Sequence, residues 1–264
     1  ASLNQGGNTF SGNVASTAVP DAVTQRAFIV TSLADSGPGT LRDLVGSANA
    51  NADANEIFFL LTLSGQSITL TNGQLTLSNT VTIDASSLPG GIQLNGNASS
   101  RIFEVLSGST VVLDSLTLTN GRAIGGSGGG ILNAGNLAVR RCTLVGNKAD
   151  LYGGGIENNG NQSLVINQST FTANQCAASG GAALDISVGP VTVQHCTVAG
   201  NVATNLGGVG GIANYSSGVT ISNSIVTGNS APIAVNFDGN PITFTGVNLT
   251  NGTPLLAPLG HYGG

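Results

Sequence analysis

Charge is scarce in this chain. Six arginines, a single lysine (Lys148) and twelve carboxylates are spread over 264 residues, for a net charge of −5. That excludes the basic footprint of a nucleic-acid binder and the polybasic patch of a membrane-surface protein. It also leaves too little Lys, Arg and Glu for helical repeats. Tryptophan and methionine are absent and tyrosine occurs three times, at Tyr152, Tyr215 and Tyr262. Few aromatic rings are therefore on hand to stack sugars. No run approaches 18 uninterrupted apolar residues, so no transmembrane segment is expected. Three cysteines cannot all pair, and no His or Cys partners stand at metal-ligand spacing. Neither a metal nor any other cofactor is expected.

What the chain does have is glycine, 40 residues of it, and repetition. Cys142-Thr-Leu-Val-Gly-Asn147, Ser169-Thr-Phe-Thr-Ala-Asn174, Cys196-Thr-Val-Ala-Gly-Asn201 and Ser224-Ile-Val-Thr-Gly-Asn229 are variants of one phrase, their asparagines 27, 27 and 28 residues apart. A diverged copy, Leu116-Thr-Leu-Thr-Asn-Gly121, precedes them. Between copies a glycine cluster runs into an aliphatic residue, at Ile131, Ile156, Leu184 and Ile212. A fixed period of this length marks a solenoid or array. Short alternating bursts such as Leu137-Ala-Val139 and Val191-Thr-Val193 read as strands, about three per period. Coiling them in register gives an all-β, right-handed parallel β-helix.

Aligned copies share a face, because side chains alternate along a strand. Leu144, Phe171, Val198 and Val226 form one inward row, with Cys142, Ser169, Cys196 and Ser224 beside it. Cys142 and Cys196 fall two turns apart, about 9–10 Å at the spacing of stacked strands, too far for a disulfide. Cys176 takes an alanine position. Asn147, Asn174, Asn201 and Asn229 follow the strand where the chain must bend. They are expected to be turn-forming, since Asn tolerates the left-handed conformation and its amide can bond the backbone or the next asparagine along the stack, with ligand binding as the alternative.

Catalysis on such a coil needs clustered carboxylates on an outer face. Only Glu157 and Asp185 come close. Each follows an inward aliphatic residue, so alternation points both outward on neighbouring turns. Arg141, Gln168, His195 and Asn223 make a second outward row, suited to an acidic sugar. Solvated outer-face side chains are the simpler reading of both rows.

At the N-terminal side, Thr40 is placed to N-cap a short helix near 40–49 whose apolar face is Leu41, Leu44 and Val45. Such a helix suits the open end of a solenoid, which otherwise presents a bare core. The stretch Thr31-Ser-Leu-Ala-Asp-Ser-Gly-Pro-Gly-Thr-Leu-Arg-Asp-Leu44 and the Gly-Gly-Ile…(Cys/Ser)-Thr-x-x-x-Asn-x-Ala repeats resemble bacterial surface β-helix proteins of the choice-of-anchor type. The repeats are also similar to those of chlamydial polymorphic outer-membrane proteins. The resemblance covers about 28–264 and implies an exported surface protein, without implying an activity. Signal-peptide removal accounts for a chain beginning at Ala1, and the expected location is secreted, extracellular or at the cell surface.

Residues 1–27 read as an extension to a single domain over 28–264. Within the extension Asn8-Thr-Phe-Ser-Gly-Asn13-Val-Ala15 repeats the motif by itself, before the cap, with no turn around it. Either this strand folds back on its own domain, or Thr9, Phe10, Asn13 and Val14 dock on a neighbouring subunit by strand addition. Head-to-tail repetition of that contact gives a fibre. The expected function is a secreted structural protein whose partners are other copies of itself. A polysaccharide-active enzyme using Glu157 and Asp185, or an adhesin for a polysaccharide or matrix polymer, is the alternative.

Overall fold

The computed structural model describes residues 26–252. It is an all-β parallel solenoid of about eight turns. One turn shows the plan: Asn136–Arg140, Thr143–Val145, Lys148–Ala149 and Ile156–Asn158 each join a different sheet. The next turn lays Leu164 beside Leu137, Phe171 beside Leu144, Cys176 beside Ala149 and Leu184 beside Ile156, every pairing parallel. The four sheets, in this order called the first to the fourth, hold nine, seven, four and seven strands. The third was not anticipated. Its strands, such as Gln175–Cys176, are two residues long and too short for alternation to announce them.

Inward positions pack as rows along the axis. Leu113, Val139, Ile166, Val193 and Ile221 form one such row and are each at most 1% exposed. Cys142, Cys176 and Cys196 are free and buried. Burial pushes the thiols of Cys142 and Cys176 up to about 12 and that of Cys196 to about 11, so they behave as small apolar residues.

Corners are made by single left-handed residues. Between the first and second sheets stand Ser115, Arg141, Gln168, His195 and Asn223, with φ from 48 to 59°. The outward row expected from the sequence is thus a stack of tight bends, and Asn223 Nδ2 lies 3.4 Å from His195 Nε2. At the next corner the left-handed residue is Gly146, Ala173, Gly200 or Gly228. The asparagine after it is not the bend itself, which corrects the turn-forming expectation. With its predecessor bending the chain, each asparagine is free to turn inward.

The helix spans Leu41–Asn49, with the Thr40 side chain accepting from the Asp43 N–H at 3.2 Å. Leu41, Val45 and Ala48 are its buried residues, and Leu44 packs at the margin of the core. Asn49 ties the helix to the first strand of the fourth sheet, Leu75–Leu77, by donating to Thr76 O (2.7 Å) and accepting from Ser78 N (3.0 Å). Asp35 fastens the same end. Its carboxylate takes Arg42 at 2.8 and 3.0 Å and the N–H groups of Thr71 and Asn72 at 2.7 and 2.6 Å. Desolvation raises the pKa of Asp35, but these donors outweigh it and hold the carboxyl below its usual range.

Candidate functional site

Two asparagine ladders run inside the solenoid. Asn147, Asn174 and Asn201 are 0% exposed and Asn229 is 7% exposed. Each Oδ1 accepts both the main-chain N–H and the side-chain amide of the preceding rung. For Asn174 these distances are 3.1 and 3.0 Å, for Asn201 3.0 and 2.9 Å, and for Asn229 3.1 and 2.9 Å. Each Nδ2 also donates backwards to a strand carbonyl, as Asn201 does to Phe171 O at 2.9 Å. The series begins at Gly121, whose N–H donates to Asn147 Oδ1 at 2.8 Å. Every polar atom of these amides has protein partners, so the rungs are structural and offer nothing to a ligand.

Sequence reasoning missed the second ladder. Asn133, Asn158 and Asn214 close strands of the fourth sheet and are fully buried. Asn133 Nδ2 donates to Asn158 Oδ1 at 2.7 Å. The signal was present as Ile131-x-Asn133, Ile156-x-Asn158 and Ile212-x-Asn214, with Ile186 interrupting the series.

Glu157 and Asp185 are brought together, opposite each other on adjacent parallel strands. They point away from the bore, as alternation requires, but are only 3% and 1% exposed. The expectation of solvated outer-face side chains therefore fails for this pair, whereas Arg141, Gln168, His195 and Asn223 are exposed. The reason is the glycine-rich segment preceding each strand, which folds flat over the outer face of the fourth sheet. A Cβ at Gly180 would stand 2.5 Å from Asp185 Oδ1 and 2.7 Å from the Tyr152 ring. Tyr215 pins this cover by donating its hydroxyl to Ser179 O at 3.1 Å. Along the row the flanking residues are Leu132 and Ala213, which bring no counter-charge.

Within this enclosure Asp185 Oδ1 accepts the Gly181 N–H (2.8 Å) and Glu157 Oε1 accepts the Ser187 hydroxyl (2.8 Å). Glu157 Oε2 is buried with no partner as an ionised carboxylate. A proton on it, donated to Asp185, satisfies both groups. Burial and then the Asp185 charge push Glu157 up to about 9, and burial raises Asp185 as well. The pair thus keeps a proton at neutral pH. At 3% and 1% exposure neither carboxyl is open to a glycosidic bond, which a retaining glycosidase must hold between its two carboxyls.

An open recess of about 440 Å³ lies at the corner between the second and third sheets, lined by Ala98, Asn120, Gly121, Arg122, Gly146 and Lys148. Arg122 and Lys148 sit side by side on adjacent strands. Asp150 pairs with Arg122 and is itself held by the Gly125 N–H at 2.7 Å. Lys148 forms no ion pair among the described residues and is exposed. Among those residues no group of three or more His, Cys, Asp or Glu is arranged to hold a metal ion. No helix there is long and apolar enough to cross a membrane.

Thr9, Phe10, Asn13 and Val14 lie outside the described residues. The chain matches no family model, no curated protein and no solved structure, so the likeness to choice-of-anchor surface proteins rests on its motifs alone.

Proposed function

We propose that this protein is an exported structural element that associates end to end, one copy's N-terminal segment engaging the C-terminal end of the next. The observation that carries this reading is the difference between the two ends of the solenoid. At the N-terminal end the helix packs on the first strands, and Val30, Leu41 and Ile68 are at most 1% exposed. At the other end Phe244 is stacked on the fully buried Ile221, so it faces the bore, yet it is 46% exposed. Phe237 packs edge-on against it, ring centroids 5.4 Å apart. Among the described residues no strand pairs beyond Thr243–Thr245, and an edge of that kind suits strand addition. A sealed acid pair and satisfied ladders fit a scaffold better than a catalyst.

Negative-stain electron microscopy of the full chain beside a version starting at Ala22 tests this. Fibres are expected from the first and single particles from the second, with unchanged far-UV circular dichroism. Single particles from both would sink the end-to-end reading.

The Arg122–Lys148 recess favours a second reading, adhesion to an acidic polymer. Two cationic residues on neighbouring strands, whose backbones stand about 4.8 Å apart, one of them without an ion pair among the described residues, match a carboxylated or sulfated glycan. Lys148→Gln is expected to weaken binding of an oligogalacturonate at least about tenfold by calorimetry, with a neutral oligosaccharide as the blank. Equal heats from both chains would remove this reading.

A further inference from the structure

Resting on the acidic-polymer reading of the Arg122–Lys148 recess, we infer that this recess binds one anionic group at a time, on a glycan whose neighbouring units are uncharged. Asp150 is the built-in counter-ion that sets this limit, and Asn120 is the neutral contact beside it.

The limit follows from the charges at the site. Arg122 and Lys148 are opposed on adjacent strands of the third sheet. Asp150 Oδ1 pairs with Arg122 while its Oδ2 accepts the Gly125 N–H at 2.7 Å, so both oxygens hold the carboxylate beside the guanidinium. Two cations and one fixed anion leave a single positive charge in excess. Lys148 supplies it, being exposed and without an ion pair among the described residues. The row adds no further charge, because the next positions on the third sheet are Gln175 and Val202. On the preceding turn Ser100 O takes the Arg122 N–H, and Ala98, Ser99 and Ser100 are uncharged. The Arg101 guanidinium is taken up by Gly128 O, Gln74 Oε1 and Ser127 O. A second ligand anion one turn along therefore meets no cation, and Asp150 repels it.

The neutral contact comes from the diverged copy of the repeat. In later turns the left-handed corner residue is Gly146, Ala173, Gly200 or Gly228, and the asparagine after it is buried in the ladder. The copy beginning at Leu116 reverses the order. Asn120 takes the corner at φ 52°, and Gly121 takes the inward place, where a Cβ would stand 2.1 Å from Gly129 O. Packing thus accounts for Gly121. It does not call for a polar side chain at the corner, since the later turns use glycine or alanine there. The reversal leaves the Asn120 amide exposed, lining the recess and bonded to no described protein group. A Cβ at Gly146, the next corner, would meet only Asn120 Oδ1, at 3.8 Å, so the space beside the amide is open. An amide with a free donor and a free acceptor suits a sugar hydroxyl. Lys148 then holds the carboxylate or sulfate, and Arg122 steadies it with N–H groups that Asp150 does not use.

Calorimetry on the full chain tests this with three ligands of equal length: trigalacturonate, a neutral trisaccharide carrying one uronate, and the same trisaccharide carrying one sulfate. In the parent, trigalacturonate should bind no more than about threefold more tightly than the better single-anion ligand, which names the source of the anion. Asp150→Asn keeps the shape and should raise the preference for trigalacturonate to at least about tenfold, with unchanged far-UV circular dichroism. Asn120→Gly should weaken all three ligands by at least about threefold. A tenfold preference already present in the parent would overturn the one-anion limit. An unchanged preference in Asp150→Asn would overturn the counter-ion, and unchanged affinity in Asn120→Gly would strike that residue from the site. Each of these leaves adhesion to an acidic polymer standing. If no ligand gives heat that Lys148→Gln abolishes, that reading fails together with the inference. Outside the described residues the one side-chain carboxylate is Asp21. The version starting at Ala22 lacks it and should bind as the parent does. Tighter binding by that version would show the chain filling its own recess and would overturn the inference.

Discussion

Asn201→Ala is expected to cost the folded state at least about 3 kcal/mol, more than any single apolar truncation to the next smaller residue in the bore. The Asn201 amide takes part in four hydrogen bonds of 2.9–3.0 Å at 0% exposure: from the Asn174 N–H, from the Asn174 amide, to Phe171 O and to Asn229 Oδ1. Truncation leaves the Asn174 main-chain N–H buried without an acceptor and opens a gap beside three polar groups. An unpaired buried group costs about 1–3 kcal/mol, and the vacated volume adds to it. Urea unfolding followed by far-UV circular dichroism reads the difference, with the exposed Asn205→Ala as control, expected within about 0.5 kcal/mol of the parent. A loss below about 1 kcal/mol for Asn201→Ala would mean that strand pairing and the apolar rows hold the coil, the ladder adding little.

The coil was legible because a solenoid writes its fold locally. A period of 27 residues puts equivalent positions on top of one another, and the spacing alone names Leu144, Phe171, Val198 and Val226 as one inward row. The Thr40 cap was readable for the same reason, since it depends on neighbours in sequence. Less was legible wherever a segment acts on a surface that alternation treats as solvent. Glu157 and Asp185 alternate outward as expected, and only three-dimensional placement shows the Gly180 segment lying over them. Glycine clusters before Ile156 and Leu184 stood out in the sequence only as a repeated signal. Their physical role is to let the chain approach the strand where any side chain would collide with it. The bend residues were misassigned for a related reason. Asn commonly takes the left-handed conformation, but here the residue before it does, including Ala173 at φ 54°, because the buried amide stabilises the corner from inside.

That covered acid pair leads to the second large effect, a stability that falls as pH rises. An acid whose folded pKa lies above its unfolded value binds its proton more tightly in the folded state. Unfolding then releases a proton, and stability declines from the ordinary carboxylate range up to the folded value, about 9 for Glu157. One proton gives a slope of about 1.4 kcal/mol per pH unit. The groups around the pair are Tyr152, Tyr215 and Cys176. Burial raises Tyr215 and Cys176 above their usual values, so neither reverses the trend below pH 9. Glu157→Gln replaces the shared proton with an amide hydrogen that can donate to Asp185 at every pH. The parent chain should therefore lose several kcal/mol between pH 5 and pH 9 relative to this variant, and the variant should be the more stable of the two at pH 9. Urea unfolding of both chains at pH 5, 7 and 9 makes the comparison. Parallel pH profiles would show that Glu157 ionises in place, with the Gly180 segment opening to admit water. The candidate site would then be an accessible one, and catalysis at that face would return as a question for a polysaccharide panel.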